Sequence, residues 1–289
     1  MANKYREYFD IDEEYFPQIN DYSIAAASPD FWMSTYPHDT FIDMLSKMER
    51  VLSRLERRSL WIEGAYGTGK SQCAYTLKKI LEVPEEELRI YWNRYEALKE
   101  KTDLLEKLIG HKQKGIVTVH RYASGGIDSP RALFFALQES IRNALNQKNL
   151  YAGENTLKES VIAWIDNPTN KRYINELLQL PEWSALFSHS SAEEILNALR
   201  KGGEVKHLMD NLFRLADKEG ITALNINADR LLAWITDIID QNNVKIVFIW
   251  DEFSDYFKNN RESLSEFQKI VELVNLKPFY FIVVTHESG

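Results

Sequence analysis

Residues 64–71 read Gly64-Ala65-Tyr66-Gly67-Thr68-Gly69-Lys70-Ser71, the spacing G-x-x-x-x-G-K-[ST]. The chemistry open to this pattern is anion binding. Glycines let successive backbone N–H groups turn to one side, a helix that starts there adds positive potential, and the lysine supplies a cation. For a nucleoside triphosphate, the stretch Gly64, Ala65, Tyr66, Gly67, Thr68, Gly69, Lys70, Ser71 and Gln72 is the expected cradle. Lys70 reaches the β- and γ-phosphates and the Ser71 hydroxyl ligates Mg²⁺.

A second group of chemical residues lies far along the chain. Val244 to Trp250 is a near-continuous apolar run, and Asp251-Glu252 follow at once. Such a run suits a strand buried on both faces of a parallel sheet, and acids at its C-terminal end lie where open α/β sheets bind ligands. Asp251 is placed to hold Mg²⁺ with Ser71, and Glu252 to polarise a water for attack on the γ-phosphate. A further apolar strand, Pro278 to Val284, ends in Thr285-His286-Glu287-Ser288.

These residues need a scaffold that brings them to one place. Ser59 to Ile62 predicts a short strand before the loop. Gln72 to Leu81 predicts a helix after it, with Tyr75, Leu77 and Ile80 at helical spacing. Gly115 to Tyr122 predicts a second strand. Its last residues, His120 and Arg121, fall at the ligand-facing rim of a parallel sheet, where Arg121 serves either phosphate contact or a structural salt bridge.

The loop together with Asp251-Glu252 resembles the Walker A and Walker B motifs of the AAA+/STAND group of P-loop ATPases. The resemblance implies a three-layer α/β P-loop core with a parallel sheet, and ATP and Mg²⁺ as ligands. It implies hydrolysis at the γ-phosphate, with Lys70, Glu252 and Thr285 in catalytic roles, Thr285 matching the sensor 1 position. A guanine-reading N-K-x-D motif is not matched, since Asn170-Lys171-Arg172-Tyr173 lacks the aspartate, which favours ATP over GTP. The segment Thr35-Tyr36-Pro37-His38-Asp39 resembles the adenine-contacting segment of these proteins; a plain turn with a helix cap on Asp39 reads equally well. The family also implies a lid and an arginine finger beyond Gly289, hence a longer protein acting as a ring-shaped homo-oligomer with the finger supplied in trans. In general layout the chain is similar to large ATPases of bacterial phage defence, of BREX type, which implies antiviral remodelling of a partner or polymer. The alternative is a slow STAND-type switch whose bound nucleotide controls assembly.

The organisation expected around the motifs has four parts. Residues 1–39 form an acidic, aromatic arm that includes the adenine-contact segment. Residues 40–147 form the first part of the core: an amphipathic helix from Thr40 to Glu56 with Phe41, Met44, Leu45, Met48, Leu52 and Leu55 on one apolar face, a charged helical stretch from Glu85 to Lys107, and a helix from Ser129 to Gln147. Residues 148–226 read as a large helical insertion between the second strand and the Walker B strand, with a turn at Gly202-Gly203; such insertions carry protein-partner contacts. Residues 227–289 return to the core, with a helix from Ala228 to Ile239 leading into the Asp251 strand.

Composition sets the outer limits. The 289 residues are 44% hydrophobic and 27% charged, ordinary for a chain with a sizeable core. A net charge of −8 speaks against a broad electrostatic grip on nucleic acid, so DNA would need a local patch. Cys73, the one cysteine, excludes an internal disulfide and fits a reducing cytoplasm. No stretch is apolar for long enough to span a membrane, and the scattered histidines form no metal cage.

Overall fold

The computed structural model describes residues 29–55, 59–65, 67–122, 127, 129–153, 156–201, 205–224, 228–253 and 264–286, without the side chains of 223, 264–266 and 286. The expectations placed on the N-terminal arm up to residue 28, on Tyr66 and on the Gly202-Gly203 turn lie outside these residues. The fold is α/β. Four strands, β1 (Ser59–Gly64), β2 (Ile116–Arg121), β3 (Lys245–Trp250) and β4 (Phe279–His286), form an all-parallel sheet in the order β1-β4-β3-β2.

This order follows from the burial each strand can sustain. From Ile246 to Trp250 every side chain of β3 is fully buried, and β4 from Phe279 to Ile282 is nearly so. Strands apolar on both faces belong in the middle of a parallel sheet. β1, with exposed Trp61, and β2 take the outer positions. The consequence for function is direct. β4, last in the chain, lies between β1 and β3, so the ends of three strands from distant parts of the sequence are neighbours. Gly64 pairs with His286, Glu63 with Thr285, and Trp250 with Val283.

Described residues fall into two compact units. The first lies within Met1–Ser124, Val244–Lys258 and Pro278–Gly289 and holds the whole sheet. In it α1 (Asp39–Leu52), α2 (Lys70–Glu82), α3 (Glu85–Arg94), α4 (Glu96–Lys99) and α5 (Thr102–Gln113) contribute to one apolar cluster with Val247, Ile249, Tyr280, Ile282 and Val284 from one sheet face. The N-terminal edge of the sheet is tied by a polar relay. Lys245 Nζ donates to His111 Nδ1 at 2.8 Å. With Nδ1 accepting, a neutral His111 carries its proton on Nε2 and donates to Ser53 Oγ at 3.1 Å. Ser53 in turn donates to Glu49 Oε1 at 2.6 Å. Burial, then the Lys245 charge, push the His111 pKa below its ordinary value.

Several sequence expectations are corrected here. The first helix stops at Leu52, not Glu56. The chain turns at Arg54, which has φ 57°, and leaves Leu55 72% exposed rather than on the apolar face. Asp39 is not the cap: His38 takes the N-cap position without a side-chain bond, and Asp39 is the first helical residue, where its charge suits the helix dipole. The charged stretch from Glu85 is three helices, broken at Tyr95 and at Glu100-Lys101. β4 runs on past Val284 to His286, so Thr285 is inside the strand.

The second unit lies within Gly125–Asn243 and Asn259–Lys277. It comprises α6 (Pro130–Gln147), α7 (Leu157–Asp166), α8 (Pro168–Leu178), α9 (Pro181–Leu186), α10 (Ala192–Lys201), α11 (Lys206–Lys218), α12 (Ala228–Asn242) and α13 (Leu264–Leu276). Local signals set the helix starts. Ser129 Oγ accepts from Ala132 N, Thr156 and Glu159 form a capping box, Asn167 Oδ1 accepts from Thr169 N, and Pro130, Pro168 and Pro181 open their helices. This unit is wider than the 148–226 read from sequence. α12 packs on both α6 and α13, and Lys277 bonds Asp240 at 2.6 Å, so the flanking helices cluster with the helical segment. The α13 helix was not foreseen.

Candidate functional site

The loop that follows β1 is shaped by its glycines. Gly67 and Gly69 have φ of 78° and 79°, in the left-handed region, and a Cβ at either would meet no atom within 4 Å. Glycine is therefore required there by backbone conformation and not by space. Gly64 differs: a Cβ would come to 3.3 Å from Thr68 Oγ1 and 3.7 Å from Lys70 Cδ, so its bareness lets the loop fold over the lysine. Thr68 Oγ1 closes the turn on the Ala65 carbonyl at 2.8 Å.

Lys70 begins α2, and Gly69 offers no side-chain cap. The first helical bond into the cap is Cys73 N to Gly69 O, so the amides of Lys70, Ser71 and Gln72 have no acceptor within the helix. The Lys70 side chain folds back into the loop. Its Nζ donates to Gly64 O at 2.8 Å and to Ala65 O at 2.6 Å, and the residue is only 8% exposed. A cation is thus held at the mouth of a loop beside the first amides of a helix. Its contacts to the Gly64 and Ala65 carbonyls hold the ammonium at the loop, where an anion would meet it.

Across β4 lies the acidic pair. Asp251 N continues the ladder by donating to Arg121 O at 2.7 Å, and Asp251 is 2% exposed. It follows Val247 and Ile249 on the alternation that faces the α2 side of the sheet. Glu252 then breaks the strand. Its φ is 57°, and its N–H turns back to Asp251 Oδ1 at 2.9 Å. A glutamate in this region carries strain of order 1–2 kcal/mol. Thr285, partly exposed, stands on β4 between the two groups, beside Glu63 and two residues after the partner of Trp250. Every described residue expected in the site belongs to the first unit, and the strand order brings them to one end of one sheet. Adjacent strands lie about 4.8 Å apart, so the ends of β1 and β3 are separated by about 10 Å.

Two rim residues have structural surroundings. Arg121 lies over the Trp250 ring at 5.9 Å. His120 sits with its ring 3.9 Å from that of Tyr122, and burial, with Lys78 nearby, drives its pKa far down, so it enters the rim uncharged. The Cys73 thiol is pushed up to about 11 by burial and is an inert packing group.

The sequence points to the Thr35–Asp39 segment but shows no sign of the cavity that His38 and the helix after it help to line. A cavity of about 390 Å³ opens beside the loop, lined by Gly64, Thr68, Lys70 and Cys73 on one side and by His38, Phe41 and Met44 on the other. Its size falls within the range of small-molecule sites. Amphipathic spacing assigned Phe41 and Met44 to the core, and only the fold shows that part of that face looks into a cavity. A larger groove of about 910 Å³ between α1 and α4–α5 is lined mainly by charged side chains and includes no residue of the loop, so the chemistry directs attention to the smaller one.

No family model, no curated protein and no solved structure matches this chain.

Among the described residues no three His, Cys, Asp or Glu side chains cluster so as to enclose a metal ion. A hydroxyl on the loop and a buried carboxylate at the end of β3 are donors of the kind Mg²⁺ uses when phosphates and waters complete its shell. No described helix is long and apolar enough to cross a membrane.

Proposed function

We propose that the chain is a three-layer P-loop ATPase core of AAA+/STAND type carrying a helical insertion, and that it binds Mg·ATP and hydrolyses its γ-phosphate to drive a conformational change in a partner. The observation that carries this reading is the Lys70 ammonium, folded between two carbonyls of a glycine loop at an uncapped helix start. It stands at the same sheet end as a buried aspartate and a glutamate in a left-handed conformation.

In this reading Lys70 exchanges its contacts with Gly64 O and Ala65 O for phosphate oxygens, and the amides of Lys70, Ser71 and Gln72 bond the same anion. Ser71 Oγ and Asp251 supply protein ligands to Mg²⁺, which neutralises charge on the phosphates. Glu252, which leaves the strand in a left-handed turn, accepts the proton of the attacking water. Thr285 holds that water or reports on the γ-phosphate. The cavity walled by His38, Phe41 and Met44 takes the base. The charge-neutralising arginine that the resemblance implies is supplied in trans by a second copy of the chain.

The test is calorimetric titration of Mg·ATP into the wild type and Lys70→Ala. Loss of a charge-assisted phosphate contact is worth roughly 1.5–3 kcal/mol, or about 10- to 150-fold in affinity. Equal affinities would refute the reading.

A further inference from the structure

The segment that precedes α1 is fastened to α2 within two turns of Lys70. Gln72 Nε2 donates to Thr35 Oγ1 at 2.9 Å, and the Thr35 and Thr76 hydroxyls share a hydrogen bond of 2.7 Å. From the other side Tyr91 OH donates to the Thr35 carbonyl at 2.8 Å. Thr35 and Thr76 are both buried, 41 residues apart in sequence.

Apolar contacts already anchor this segment. Phe31, Trp32 and Met33 are buried, and the Trp32 ring lies 4.9 Å from that of Tyr91. Buried hydroxyls add a cost unless paired, so they are poorly suited to anchoring alone. What a buried hydroxyl pair adds is register: one permitted position of the segment against α2, where apolar packing alone tolerates sliding. The segment's next residues reach the cavity, with His38 and then Phe41 forming its wall. At the other end of the clasp, Gln72 follows Ser71 directly. The clasp therefore ties α2, one residue after Ser71, to the segment whose following residues reach the far wall of the cavity.

We propose that Thr35, Gln72 and Thr76 form a positioning clasp that sets the His38–Phe41 wall relative to the loop, and so controls affinity for the nucleoside part of the ligand without touching it. The inference rests on the nucleotide reading of the site. It also reassigns Gln72: its amide N–H stays with the loop, while its side chain serves Thr35.

The test compares affinities for Mg·ATP and for inorganic tripolyphosphate in the wild type, Thr35→Val, Thr35→Ser and Lys70→Ala. Thr35→Val is expected to weaken ATP about tenfold, as for a lost buried hydrogen bond, and to leave tripolyphosphate within about twofold. Thr35→Ser keeps the hydroxyl and should restore ATP binding. If Thr35→Val weakens both ligands equally, or neither, the clasp does not act on the nucleoside end and the inference falls. Thr76→Val, which removes one bond at a fully buried hydroxyl, gives the same comparison should Thr35→Val fail to fold. Lys70→Ala separates the two layers: it should weaken both ligands, and if it weakens neither, the phosphate-loop reading fails whatever Thr35→Val does.

Discussion

Glu252 offers a perturbation in which stability and turnover should move in opposite directions. Its φ of 57° costs an L-residue about 1–2 kcal/mol, and glycine adopts it freely. Glycine also gains entropy in the unfolded chain, which removes about 0.4–1 kcal/mol of that benefit. Glu252→Gly is therefore expected to stabilise the protein by about 0.5–1 kcal/mol, a rise in Tm of about 1–3 °C. Glu252→Gln keeps the strain and should leave Tm within about 1 °C. Both variants lack the carboxylate, so γ-phosphate release should fall by about 10²–10⁴-fold in each, with ATP still bound. The assays are calorimetric melting without nucleotide and phosphate release at saturating Mg·ATP. A destabilised Glu252→Gly would show that the left-handed turn is not strained. Unimpaired phosphate release in Glu252→Gln would remove the carboxylate from the chemistry.

Three further outcomes are expected. The His111 pKa is lowered on folding, so the unfolded chain binds the extra proton first; the stability this residue contributes is complete above about pH 6.5 and declines as the pH falls toward the lower folded value. His111→Gln, which can accept from Lys245 and donate to Ser53 without titrating, should flatten the change in urea midpoint between pH 7.5 and 5.5, and an unchanged slope would disprove the relay. Gly69→Ala should cost about 1 kcal/mol in urea unfolding through backbone strain alone, since its Cβ meets nothing; a loss of several kcal/mol would mean the site is crowded. If an arginine acts in trans, turnover per subunit should rise with protein concentration, by up to about 10³-fold on assembly; concentration-independent turnover by a monomer would refute it.

Much of the first unit was legible because its signals are local. The run from Val244 to Trp250, the glycines around Lys70 and the periodicity after it each specify an element without reference to the rest of the chain. Strand order was not legible: that β4 inserts between β1 and β3 depends on which strands are apolar on both faces, a property of the assembled sheet. The left-handed Glu252 has no sequence signal, because glutamate is not a residue that favours that conformation. Leu55 was misplaced because heptad spacing continues past Leu52 while the backbone turns at Arg54. The compact helical unit extends beyond residues 148–226 for a similar reason: Ala228 to Asn242 leads into β3 in sequence, yet clusters in space with Leu264–Leu276, a helix that sequence spacing did not reveal. The Thr35–Thr76 bond joins residues that nothing in the intervening sequence connects.

The central claim is that the loop at Lys70 and the acid at Asp251 serve one ligand. ATP affinity measured with Mg²⁺ and with a chelator, in the wild type, Lys70→Ala and Asp251→Asn, tests it most directly. Wild type is expected to bind ATP more tightly with Mg²⁺. Lys70→Ala should bind weakly in both conditions, and Asp251→Asn should match the wild type in chelator while losing most of the Mg²⁺ increment. An Asp251→Asn protein that retains the full increment would place the metal elsewhere and separate the two halves of the site.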